Sequence, residues 1–151
     1  VAGIAVALNS AAPLAAQNVT ADVDRIAAIL QQEGYQAKRL GDPGEPRIET
    51  SMGGYAAAVY FYGCDAKGKG CKSVQFYSGF NPKTSPTLDA MNEYGRANRF
   101  GRVYLDKDGD PVIEMDIDLE AGGMPQALFV DNLAYWNSIL GRFAKFVFKG
   151  E

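Results

Sequence analysis

The segment from Phe100 to Glu120, FGRVYLDKDGDPVIEMDIDLE, leaves the chain little conformational choice. From Ile113 onward, Ile113, Met115, Ile117 and Leu119 alternate with Glu114, Asp116, Asp118 and Glu120. That period of two belongs to a strand with one apolar and one polar face. Val103 and Leu105 must share the face of Ile113 and Met115, so the connecting loop has to contain an odd number of residues. A three-residue loop, Lys107-Asp108-Gly109 with Gly109 left-handed, meets this condition and pairs Val103 with Ile113 and Arg102 with Glu114. A two-residue Asp108-Gly109 loop would put the apolar sets on opposite faces.

The flanking sequence supplies the partners of this hairpin. Thr20 can cap a helix carrying Val23, Ile26, Ala27 and Leu30 at helical spacing, with Gly34 as its stop. Tyr35 to Leu40 and Arg47 to Ser51 read as strands around the turn-rich GDPGEP. Tyr55 to Gly63, YAAAVYFYG, is apolar or aromatic almost throughout, and predicts a central strand covered on both faces. Beyond Cys64 and Cys71, the alternation of Val74 and Phe76 with Ser73, Gln75 and Tyr77 predicts a strand that pairs with it. Ser85-Pro86 reads as N-cap and first turn of a helix with Leu88, Met91 and Tyr94 on one side. Gly95 in that helix implies close packing or a bend. Pro125 opens a long helix whose Phe129, Leu133, Trp136, Leu140, Phe143 and Val147 form one seam, widened by Val130, Ile139 and Phe146. The pattern predicts an α+β fold with a twisted antiparallel sheet of about five or six strands packed against helices.

Composition narrows the chemistry. The 151 residues are 47% hydrophobic, enough for a real core, and we expect a single domain over residues 17–151. A net charge of -3 offers no basic field for nucleic acid. The chain has no histidine, which removes the usual general base near neutral pH and the commonest metal ligand. Residues 1–16, VAGIAVALNSAAPLAA, resemble the apolar region and cleavage site of an export signal, or else form a small amphipathic helix or a disordered Ala-rich arm. The run is too short to span a membrane. Asn18-Val19-Thr20 matches a glycosylation sequon, a short and unspecific pattern. Cys64 and Cys71 bracket the flexible DAKGKG, and we expect a disulfide between them, a local staple of about 2.5 kcal/mol. Together these features place the protein in the periplasm or outside the cell.

Each candidate constellation has a plainer structural reading beside it. Asp106, Asp108 and Asp110 imitate the start of a calcium loop, but Pro111 stands at its sixth position and Ile117 where a bidentate glutamate is needed. Turn chemistry explains them better. Glu114, Asp116, Asp118 and Glu120 can serve as a surface for a basic partner or as acid/base carboxylates, although a solvated sheet face is the better account of them. Tyr55, Tyr60, Tyr62 and Tyr77 can line a ligand pocket between sheet and helices, or sit in the core with bonded hydroxyls. Lys67, Lys69 and Lys72 lack the helix start of a phosphate loop. No residues stand out as catalytic, as metal ligands or as a cofactor site.

VYFYGC followed by CKSVQFYSGF, then LDAMNEYGRANRFGRVYLDKDGDPVIEMDIDLE and the aromatic terminal helix, resemble the YbjN family of bacterial sensory transduction regulators over roughly Asp22 to Lys149. The resemblance implies a fold similar to type III secretion chaperones, binding to proteins and homodimerisation. It brings no catalytic residues with it. We therefore expect a non-enzymatic, exported protein-binding module of regulatory or chaperone-like character. A small-ligand carrier using the tyrosines is the alternative, and a carboxylate-dependent hydrolase ranks third.

Overall fold

The computed structural model describes residues 17–151; the expected export signal or arm over residues 1–16 lies outside them. Nine elements follow in order: α1 (Val23–Gln32), β1 (Lys38–Asp42), β2 (Glu45–Met52), β3 (Tyr55–Tyr62), β4 (Ser73–Gly79), α2 (Leu88–Ala97), β5 (Arg102–Leu105), β6 (Pro111–Asp118) and α3 (Gln126–Val147). The six strands form one antiparallel sheet in the order β1-β2-β3-β4-β6-β5, an α+β fold as expected. The chain crosses from β4 through α2 to the far edge strand β5, and turns back to insert β6 beside β4.

The β5–β6 hairpin has the register that its alternation demands. Arg102 faces Glu114 and Val103 faces Ile113. The Asp106 amide donates to the Asp110 carbonyl at 2.9 Å, leaving Lys107-Asp108-Gly109 as the loop, and Gly109 has φ +82°. The Asp106 carboxylate accepts from the amides of Asp108 and Asp110, each at 2.9 Å, and so orders the turn.

Two helix starts differ from the sequence expectation. α1 is capped by Asp22 rather than Thr20; the Asp22 carboxylate accepts from the Arg25 amide at 2.7 Å. Residues before the cap are held in extended pairing, with Val19 bridged to Met124 and Ala21 to Cys71, which delays the helix. α2 is capped by Thr87, whose hydroxyl accepts from the Ala90 amide, so Pro86 precedes the cap instead of filling the first turn.

α1 and α3 supply the main apolar cover, and α2 closes over β5 on the same side. The seam of α3 is fully buried, with Trp136 lying 5.7 Å from Phe76 of β4 and Phe143 the same distance from Phe80. A Cβ at Gly95 of α2 would meet Val103 at 3.5 Å, an ordinary van der Waals contact, so the packing of α2 on β5 does not itself require a glycine there. The expectation that β3 is covered on both faces is corrected. Ala57, Val59 and Phe61 point into the core, whereas Ala56 and Tyr62 on the opposite face are exposed, because all three helices lie on one side.

Cys64 and Cys71 are joined as a disulfide. Within their loop the Asp65 carboxylate accepts the amides of Lys69 and Lys67, which lower its pKa. The loop leans on the β1–β2 turn: a Cβ at Gly68 would collide with the Pro43 carbonyl oxygen and crowd Pro46 at 3.3 Å. None of the described helices is long and apolar enough to cross a membrane.

Candidate binding face on the helix-free side of the sheet

The helix-free face is built by alternate residues of every strand. Across its middle run Lys38, Glu49, Ala58, Tyr77, Glu114 and Arg102, one from each strand in sheet order. The neighbouring row is Leu40, Arg47, Tyr60, Gln75 and Asp116. Pairing of β3 with β4 and of β4 with β6 thus gathers on one surface six residues singled out from the sequence: Tyr60, Tyr62, Tyr77, Glu114, Asp116 and Asp118.

The remaining two are elsewhere. Tyr55 lies on the helix side, 5.5 Å from Phe80 and stacked at 6.4 Å on Phe148. Strand alternation separates it from Tyr60 and Tyr62, so the four tyrosines do not line one pocket between sheet and helices. Glu120 follows the end of β6 and pairs with Lys72 Nζ at 2.6 Å.

Glu114 is not part of a solvated face. It is only 5% exposed, while Asp116 and Asp118 on the same strand are exposed. Three donors converge on its carboxylate: the Arg102 guanidinium, the Tyr104 hydroxyl at 2.6 Å and the Gln75 amide at 3.4 Å. The same amide donates to Asp116 Oδ1 at 2.9 Å, and the Gln75 carbonyl oxygen accepts from the Tyr62 hydroxyl at 3.2 Å. An aromatic and acidic network therefore extends from Tyr62 on β3 to Tyr104 on β5.

Electrostatics follow from this geometry. Burial, the hydrogen bond to Glu114 and its charge keep the Tyr104 hydroxyl protonated far above the ordinary tyrosine range. The bond and charge of Glu114 raise the Arg102 pKa as well. Burial, followed by the charges of Glu114 and Asp116, raises Tyr62. A carboxylate engaged by three donors fixes the side chains of Arg102, Tyr104 and Gln75 around it. Among the described residues no cluster of three or more acidic or sulfur side chains is disposed to hold a metal ion.

Beside the network lies a shallow depression of about 390 Å³, floored by Ala56, Ala58 and Gly79 and bounded by Tyr60, Tyr77 and Glu49. The Tyr60 and Tyr77 rings stand 5.6 Å apart at 84°. Tyr77 lies along its own strand over Gly79, where a Cβ would come within 3.0 Å of the hydroxyl. Arg102, Tyr104 and Gln75 were absent from the sequence candidates. The Arg102–Glu114 pairing was the one signal that pointed to any of them, and Tyr104 shares the face of Arg102 two residues along.

A family model, YbjN, described as "Putative bacterial sensory transduction regulator", matches residues 22–149. No curated protein and no solved structure matches the chain.

Proposed function

The chain belongs to the YbjN family, and from that premise we propose that it is an exported, non-enzymatic protein-binding module with a regulatory role, engaging its partner through the helix-free sheet face. The observation that carries this reading is the face itself. A six-stranded sheet leaves one side without helices, and tyrosines and carboxylates there are locked by the Glu114 network. Preordered aromatic and charged side chains lose little freedom on binding, which favours recognition of another polypeptide. The family description supports a regulatory role, and the disulfide supports a compartment outside the cytoplasm. The single domain over residues 17–151 and its likeness to type III secretion chaperones belong to the same proposal, as does homodimerisation.

The test is site-specific photocrosslinking in the native host. A photoreactive residue at Tyr62, which is 48% exposed on the helix-free face, is compared with one at Leu128 on α3. The expected result is a discrete protein adduct through position 62 and none through 128. Adducts through 128 alone overturn the reading, and so does a tightly co-purifying small molecule without any protein adduct.

A further inference from the structure

We propose that the corner between Tyr60 and Tyr77 is a receptor for a lysine or arginine side chain presented by a protein partner. The inference rests on the proposed binding face and assigns a chemistry to one part of it. The two rings meet edge to face, with centroids 5.6 Å apart and planes at 84°, so a guest in the depression they border meets the ring faces that this contact leaves free. Those faces carry the negative side of the aromatic quadrupole and attract a cation. Ala56 and Ala58 remove side chains that would otherwise fill the floor, and the absence of a side chain at Gly79 gives Tyr77 room to lie along its strand at the edge of the depression.

Charge around the corner has the matching sign. Glu49 stands at its rim. Burial first, then the neighbouring Tyr60, and then the carboxylates of Asp106, Glu114 and Asp110 raise the pKa of the Tyr77 hydroxyl. Over the whole helix-free face, Asp42, Glu45, Glu49, Glu114, Asp116 and Asp118 outnumber Lys38, Arg47 and Arg102. Glu49 is contacted by Arg47 at 3.5 Å, with the two side chains 47% and 40% exposed, and faces Lys38 across the strand pair. A pair so long and so exposed is weak, and an incoming cation can replace it.

The test is an NMR titration of the full chain with an extended lysine-threonine repeat peptide and its norleucine counterpart. Binding of the lysine peptide should shift the amides of Ala56, Ala58 and Gly79 and the rings of Tyr60 and Tyr77, and should weaken as salt is added. Tyr60→Leu should weaken it about tenfold and Glu49→Gln about threefold, while Tyr60→Phe retains it because the ring face survives. Arg47→Gln should tighten binding about threefold by freeing Glu49, a sign that general loosening of the sheet does not produce. Equal binding of the norleucine peptide, or shifts confined to α3, overturns the inference. Protein adducts through Tyr62 without any response to lysine peptide overturn it while leaving the binding face standing; absence of both overturns both.

Discussion

The two faces of this sheet are made by the same strands, yet they hold their side chains in place by different means. On the helix side Phe76 packs against Trp136 and Phe129 in a core that also holds Ile113, Met115 and Phe143, and order comes from exclusion of water. On the other side Tyr62, Gln75, Glu114, Arg102 and Tyr104 are ordered by directed hydrogen bonds around one shielded carboxylate. Packing makes the first face stable and mute. Directed bonds make the second specific while leaving its rings and carboxylates within reach of solvent.

The comparison breaks most visibly at Trp136. Trp136→Ala should destabilise the fold by about 3–5 kcal/mol in urea unfolding, because the indole fills the sheet–α3 interface. Tyr60→Ala on the half-buried opposite side should cost far less, and equal losses would erase the distinction. At the network, Arg102→Ala should cost about 2 kcal/mol, since it strands a carboxylate that is only 6% exposed. Glu114→Gln should cost less, because Arg102, at 63% exposure, can rehydrate. The reverse order would mean that Glu114 reaches water freely. Gly109→Ala should cost about 1 kcal/mol, since a left-handed φ of +82° is imposed on a residue with open space around it. A much larger loss would show that the turn itself sets which residues face each side.

The smallest effect is a pH slope. The folded-state pKa of Tyr104 is raised above the ordinary 10.0, so its contribution is fully present below that value and is lost as pH climbs through the folded pKa. Stability measured by urea between pH 9 and 11 should decline less steeply in Tyr104→Phe than in the parent chain. Identical slopes would detach Tyr104 from Glu114.

Much of the helix-side face was legible in the sequence, because apolar periodicity at Val103, Ile113, Met115 and along α3 is a local signal. The hairpin register was legible for the same reason. The opposite face was not. Its assembly depends on β4 meeting β6 across the intervening α2 and β5, a non-local pairing that no pattern in either strand announces. Glu114 illustrates the consequence: a carboxylate alternating with apolar residues reads as solvated, and only the arrival of Gln75, Tyr77 and Tyr104 buries it. Tyr55 was misassigned with the other tyrosines because aromatic content alone does not say which face of a strand a ring occupies.

Glu114 has a further consequence for assembly. If β5 slid by one residue along β6, Arg102 and Tyr104 would turn to the helix side and Val103 to the wet side. The carboxylate would then lose two of its three donors, and with Tyr104 part of its cover. The misaligned hairpin is thus penalised twice, by exposed apolar surface and by lost charge-assisted hydrogen bonds. The carboxylate acts as a proofreader of strand alignment, and accepts the edge strand in one position only.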